Sequence, residues 1–549
     1  MFVKNIKKGE NRRRFLQLAT GAALVAPNLG GSEGNPIASQ NKRSEQCFKL
    51  RFDAAKAERD AAAVTQVTNG DEARYPSRIG NFSKGLPHNS IGEVDRTAYQ
   101  NLLDCLSHGD ASGFDALTMG GNVPLVNPQA GLAFDIEGAD SHALAIGTPP
   151  TVESAQRAGE MVELYWMALM RDVSFSDYAI NSNAQVAIGE LSKLSDYRAP
   201  RESGKVTANT LFRGFTRGDT VGPYVSQFLL KPFEYGAIPV EQRMITYTPL
   251  SGGGTDYMTN PAAWLAVQNG AGPFGPNAID PVHRYVRSGR DLAAYVHVDV
   301  LFEAYFNACL WLIDNHAPLN PGNPYVRASA ARTQAGFGTF GGPHVKTMVA
   351  EAATRALKTV WYQKWFVHRH LRPEAYGGLV HFTKTKAASY PLHGDLLNSE
   401  SLNRVFSRNS SYLLPMAFPE GCPQHPSYGQ GHSTVAGACA TMVKAFFDDT
   451  TPLANLTDIV QASPDGTSLV TYTGADKNQI TVGGEMNKLA ANIGLGRVHA
   501  GVHWRSDYTD SLPLGEALAI SILKDQHDTY NESFDGFTFT KFDGTRITV

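Results

Sequence analysis

The sequence predicts a mainly α protein with a few small β-hairpins at its periphery, and three observations carry that reading. Apolar residues recur at three- and four-residue steps through most of the long runs. Strand signals are few and short. Loops dense in Gly, Pro and Asn, such as 81–90, 120–150 and 247–288, separate the periodic runs, and loops that long are usually functional or bind a partner subunit. Hydrophobic residues fill 42% of 549 positions, enough for a large core, while charged residues at 18% fall below the usual quarter. That balance suits a large interior or a surface covered in a homo-oligomer. A net charge of −3 gives no bulk attraction for nucleic acid or an anionic membrane, so the expected partner is a small molecule.

Residues 1–40 read as a twin-arginine-type export signal and linker. Lysines at 4, 7 and 8 precede Asn11-Arg12-Arg13-Arg14-Phe15-Leu16-Gln17, and a mild apolar run follows from Leu18 to Pro27. The plain alternative is a basic tail before a short helix. The signal predicts a folded protein exported to the periplasm or beyond. A polar linker (30–42) leads into candidate helices at Phe52–Gln66, Asp95–Leu106, Val152–Arg171, Asn183–Leu194 and Arg290–Asn315. The most apolar long stretch, Tyr295–Ile313, carries Asp299 and Glu303, so no membrane span is expected. Two hairpins are expected, one pairing Ser468–Tyr472 with Gln479–Val482 and one folding Phe537–Val549 about Asp543-Gly544. Cys47, Cys105, Cys309, Cys422 and Cys439 form an odd set without metal-type spacing; one disulfide is compatible with export, but the fold is not disulfide-built.

Three stretches carry chemistry. A helix expected over Val345–Leu371 has the apolar stripe Met348, Ala352, Ala356, Val360 and Trp361, and the next place on that stripe is Lys364; Arg372 follows two turns on and Pro373 ends the helix. A lysine on a core stripe either snorkels to water or meets an anion. The second stretch, His425-Pro-Ser-Tyr-Gly-Gln-Gly-His432, precedes another helix, whose unpaired first N–H groups suit negative charge. There His432 either exchanges protons with a bound oxyanion or has no task. In the third, Arg497-Val-His-Ala-Gly-Val-His503-Trp-Arg-Ser-Asp507, Arg497 continues the stripe Leu489, Ile493. His503 lies about 120° off that face on an ideal helix. Either the helix breaks near Gly501 or the ligand spans the angle. Asp507, one turn beyond His503, can fix one ring nitrogen and leave the other free. Three inward cations require a multiply charged oxyanion. A divalent-metal site on His499, His503 and Asp507 has ligand spacing in its favour, but those cations would repel the metal.

Lys-x7-Arg-Pro, Pro-Ser-Tyr-x-x-Gly-His and Arg-x5-His-x3-Asp, in that order, resemble the vanadium-dependent haloperoxidases. The seven-residue first gap is similar to their algal and cyanobacterial bromoperoxidase branch; the related acid phosphatases carry six. Segments 81–89, 127–144, 160–178 and 211–237 also read like that branch, so the resemblance runs from about residue 48 onward. It implies two four-helix bundles, with an N-terminal helical part at 48–330 and a C-terminal part at 331–549 holding one vanadate per subunit. It also implies a role for each site residue: His503 the metal ligand, oriented by Asp507; Lys364, Arg372, Arg497 and the Gly431 amide around the equatorial oxygens; His432 the acid–base group; His425 and Trp361 at the halide pocket. Hydrogen peroxide, a halide (bromide or iodide favoured) and a small organic acceptor are the implied partners. Calcium occurs in some relatives, with no ligands assignable here. One departure stands out, because Gln430 occupies the place where the family usually has a serine that donates to an equatorial oxygen. Its longer amide can donate too but could crowd the site. The competing readings are an acid phosphatase with His503 as nucleophile, and an oxyanion-binding relative impaired by Gln430.

Overall fold

The computed structural model describes residues 40–109, 111–326 and 333–549. The export segment at 1–39 and the boundary expected near 330 lie outside the described residues. The described chain forms two units divided after Asp53, and everything below concerns the second, 54–549. Helices dominate it, as expected, with three two-stranded ribbons.

Eight helices position the site: α1 (Ala155–Leu169), α2 (Gly289–Tyr295), α3 (Glu303–Asp314), α4 (Gly342–Tyr362), α5 (Pro373–Lys384), α6 (Gly431–Phe446), α7 (Val482–His499) and α8 (Arg505–His527). Helices α4, α6, α7 and α8 pack against one another as a bundle; α3 leans on α4, α6 and α7, and α2 on α7. A second helical group forms around α1 with Ser182–Leu191, Gly394–Leu397 and Glu400–Asn409. The α6–α8 contact is close because both helices present glycine there. A Cβ on Gly437 would meet the Leu512 carbonyl at 2.2 Å, and one on Gly515 the Thr434 carbonyl at 1.9 Å. No described helix is long and apolar enough to cross a membrane.

Several boundaries differ from expectation, each for a physical reason. The first described helix is Gln40–Asp60, not Phe52–Gln66; the polar run from Gln40 is rich in helix formers, whereas Val64, Thr65, Val67 and Thr68 are β-branched. The helix expected across Arg290–Asn315 is two, α2 and α3, separated by residues 296–302. The long helix from Val345 does not run on to Leu371: α4 passes into a wider π-helical turn, Gln363–His368, and Arg369 in the left-handed region ends it. Pro373 therefore opens α5 at its first position, where its missing N–H is no loss. The helix containing Arg497 does break at Gly501 (φ 86°). Gly501 N–H donates to Val498 O (2.8 Å) and Val502 N–H to Arg497 O (3.2 Å), a Schellman closure.

Of the ribbons, Thr538–Thr540 pairs with Arg546–Thr548 about Gly544 as expected. Leu469–Thr471 pairs with Val460–Ala462 rather than with Gln479–Val482. The Asp465-Gly466 turn between them, with Gly466 at φ 73° and Asp465 accepting from Ser463 and Thr467, makes the nearer pairing the shorter loop to close. A third ribbon, Phe233–Tyr235 with Ile238–Val240, turns at Gly236 and gave no strong sequence signal.

Candidate active site

The π turn after α4, the loop before α6 and the break between α7 and α8 meet around three buried cations. Lys364, on the π turn, donates through Nζ to the Pro426 (2.7 Å) and Ser427 (2.8 Å) carbonyls. Arg372, just before α5, donates through Nε to His425 O (2.9 Å) and through Nη1 to Val502 O (2.7 Å). Arg497, in the last turn of α7, donates through Nη1 to Val296 O (2.7 Å), while its Nε is buried without a partner. Among the described residues, none of the three lies within 4.0 Å of a carboxylate oxygen. Burial pushes the Lys364 ammonium well below its ordinary pKa, and the charges of Arg372 and Arg497 lower it further. Arg372 is pushed down to about 10 by burial, and burial lowers Arg497 as well.

His503 completes the group. Its Nδ1 lies 2.7 Å from Asp507 Oδ2 and its Nε2 lies 2.9 Å from Arg372 Nη1. A guanidinium only donates and an ionised carboxylate only accepts, so the ring proton sits on Nδ1 and the Nε2 lone pair faces the cations. Burial and the charges of Arg372, Lys364 and Arg497 hold the ring neutral, its pKa well below the ordinary value. Asp507 Oδ2 also accepts from Trp504 N–H (3.1 Å) and from the Ser427 hydroxyl. The N-terminal turn of α8 thus fixes the carboxylate that fixes the histidine.

At the half-buried side stands His432, its Nε2 2.9 Å from Asp299 Oδ1. Burial lowers the His432 pKa, Asp299 raises it, and Arg497 and Lys364 lower it again. Burial pushes Asp299 up, but His432 and Arg497 outweigh it and keep that carboxyl below its usual range. Asp299 lies in the break between α2 and α3. The sequence displayed it as a charge in an apolar run, but reading that run as one helix hid its direction. Ser427, the other supporting residue that sequence reasoning passed over, carried no signal beyond its place in the His425–His432 stretch.

Trp361 and His425 are tilted together with ring centroids 4.6 Å apart, and Lys364 Nζ lies 5.6 Å from the Trp361 ring. Gly431 opens α6, where its N–H has no intrahelical acceptor, and a Cβ there would press on Trp361 at 3.2 Å. Gln430 turns away from the role its position suggested. Its Nε2 donates to Gly494 O on α7 (3.1 Å), its Oε1 accepts from the Ser433 hydroxyl, and its N–H donates to Ser511 Oγ (2.8 Å). The amide bridges α6 to α7 one turn before Arg497. His499, across the Gly501 break, turns to Tyr224 Oη (3.3 Å), so it shares no site with His503. Among the described residues no three His, Cys, Asp or Glu side chains gather as a metal cage, and none can be assigned to calcium.

A tetrahedral oxyanion whose central atom takes a histidine nitrogen fits this arrangement. The cations have main-chain carbonyl partners and no counter-anion, the Arg497 Nε–H is unspent, and His503 offers a bare Nε2 among them. Residues 344–532 match the family model described as the VCPO second helical-bundle domain. The chain is 36% identical to the vanadium-dependent bromoperoxidase of Corallina pilulifera, covering 94% of this chain and all of that one. It is also 36% identical to that of Ascophyllum nodosum, over 92% of each. The homohexameric second vanadate-dependent bromoperoxidase of Ascophyllum nodosum superposes with a TM-score of 0.87 at 32% identity, over 97% of this chain and 95% of that one. Identity at that level over nearly its whole length, on the same fold, places the chain in the vanadium-dependent haloperoxidase family, on its bromoperoxidase branch.

Proposed function

We infer that this protein is a vanadium-dependent haloperoxidase that uses hydrogen peroxide to oxidise a halide, bromide or iodide in preference, to a hypohalous-acid-like species that halogenates electron-rich organic acceptors. The observation that carries the reading is the set of three buried cations without carboxylate partners around a neutral His503. Bound vanadate supplies Lewis-acid activation of peroxide without changing its own oxidation state. His503 holds the metal through Nε2, and Asp507 keeps that nitrogen unprotonated. Lys364, Arg372, Arg497 and the Gly431 N–H neutralise the oxygens. His432, poised by Asp299, takes protons from peroxide as it binds. The Lys364 ammonium then stabilises the negative charge that develops as halide attacks. Trp361 and His425 line the halide's approach, His425 being held neutral by burial and by Arg372 and Lys364. Gln430 braces α6 on α7 instead of donating to an oxygen.

The low charge fraction, with the homohexamer formed by the Ascophyllum relative, supports a homo-oligomer. Residues 1–40 support export by the twin-arginine route, which keeps a hypohalous oxidant outside the cytoplasm. The test is to reconstitute the protein with vanadate and follow peroxide-dependent bromination of a phenol dye beside hydrolysis of a phosphate ester. Bromination that requires vanadate is the expected result. Hydrolysis alone assigns an acid phosphatase, and vanadate binding with neither activity assigns an impaired relative.

A further inference from the structure

The break between α2 and α3 touches the site three times, and only two of those contacts are used above. Val296 O caps Arg497 and Asp299 holds His432. Between them His297 points to Glu420, with Nε2 2.5 Å from Oε1, while its Nδ1 contacts the Tyr247 hydroxyl. The His297 ring lies flat on Phe418 (3.7 Å, 5°), and the Arg497 guanidinium rests 5.5 Å from the same Phe418 ring.

Glu420 is close enough to matter to Arg497. Burial lowers the Arg497 pKa, and Asp299, Cys422, Glu420 and Tyr247 are the neighbours whose charge works the other way. Yet Arg497 and Glu420 are not within 4.0 Å as an ion pair, and Arg497 keeps a buried Nε–H without a partner. Such a pair is the obvious resting state for a part-buried carboxylate beside a buried guanidinium. What prevents it is the tether: Glu420 is spent on His297. Burial pushes Glu420 up, but the His297 contact outweighs it and keeps the carboxyl ionised. The backbone there is pinned separately, since Lys84 Nζ donates to Glu420 O (2.8 Å) and to Cys422 O while pairing with Glu374 (3.0 Å). Losing His297 would therefore free the Glu420 side chain and leave its loop in place.

We propose that His297 is a positioning residue that holds the Glu420 carboxylate away from Arg497, keeping that guanidinium open for the oxyanion. The inference rests on the anion site proposed above, and it concerns affinity for the anion before any chemistry. Without the tether, Glu420 becomes a built-in competitor for Arg497.

Calorimetric titration of the full-length apo-protein with orthovanadate, and separately with inorganic phosphate, tests this. His297→Phe keeps a ring against Phe418 but cannot donate to Glu420, and should weaken both anions by about tenfold or more. His297→Gln retains a donor and should bind as wild type does. The decisive variant is His297→Phe with Glu420→Gln, which removes the competitor and should restore affinity to within about threefold of wild type. A His297→Phe protein that binds both anions undiminished overturns the proposal. So does a double variant as weak as the single one, because that makes His297 a packing residue only. Wild-type protein that binds neither anion removes the oxyanion site itself, a failure distinct from the other two.

Discussion

Replacing Gln430 by serine, the residue relatives carry at that place, separates a brace from a ligand. The Gln430 amide is fully buried and joins the start of α6 to Gly494 on α7. The joint is tight: a Cβ on Gly494 would stand 2.6 Å from Ser433 Oγ and 3.1 Å from Gln430 Oε1. Gln430→Ser leaves the Gly494 carbonyl buried and unmet, at about 1–3 kcal/mol. The lost side-chain volume adds a void worth on the order of 1–2 kcal/mol. Ser433 can turn its hydroxyl elsewhere and adds little. The expected loss is about 2–5 kcal/mol, read as a lower denaturant midpoint with unchanged slope. Vanadate affinity should move by less than about tenfold, 1.4 kcal/mol, since every charged group remains and a hydroxyl donor is gained. An unchanged midpoint would refute the brace. Affinity falling by several hundredfold would show instead that Gln430 holds the anion itself.

Three further outcomes follow from the same geometry. Asp507→Asn keeps an acceptor for His503 but removes the charge, and should weaken vanadate binding by about 10- to 100-fold, measured by calorimetry; undiminished affinity would mean that His503 needs no orienting carboxylate. Inorganic phosphate at a hundred times its dissociation constant should stabilise the wild type by about 2.7 kcal/mol in thermal unfolding. Lys364→Met should lose most of that gain, and a full gain would take Lys364 out of the site. Asp299 has a folded pKa below its ordinary value, so its contribution to stability is present above the usual carboxylate range and is lost as pH falls through the folded value. Asp299→Asn also strips His432 of the partner that raises its pKa, leaving burial, Arg497 and Lys364 to lower it. If neutral His432 is the base, the acidic limb of the bromination profile moves to lower pH in this variant; a limb that stays put or moves up would contradict that role.

What the sequence revealed of the site is what charge on an apolar stripe can reveal. Lys364 and Arg497 stood out because each continued a run of buried positions, and His503 because a carboxylate followed one helical turn later. The break at Gly501 was legible for the same reason, since Arg497 and His503 could not share a face without it. The break at 296–302 was not legible, because Asp299 and Glu303 keep helical spacing and a helix tolerates charge on its outer face. Direction was lost there, and with it both histidine–carboxylate pairs. Gln430 failed for another reason: sequence places its backbone beside the anion, but a side chain with three torsions reached across to Gly494.

The unpaired cations also explain how so much positive charge is buried at all. Removing an ion from water costs several kcal/mol unless its donors are met. Here they are met by main-chain carbonyls of Pro426, Ser427, His425, Val502 and Val296, which satisfy hydrogen bonds without contributing a negative charge. The nearby carboxylates are each occupied elsewhere, Asp507 by His503, Asp299 by His432 and Glu420 by His297. A histidine on every carboxylate and a carbonyl on every cation leave the positive charge for something that enters from outside. Had an aspartate satisfied Lys364 or Arg372 instead, the fold would keep its bundle and lose its affinity for an oxyanion.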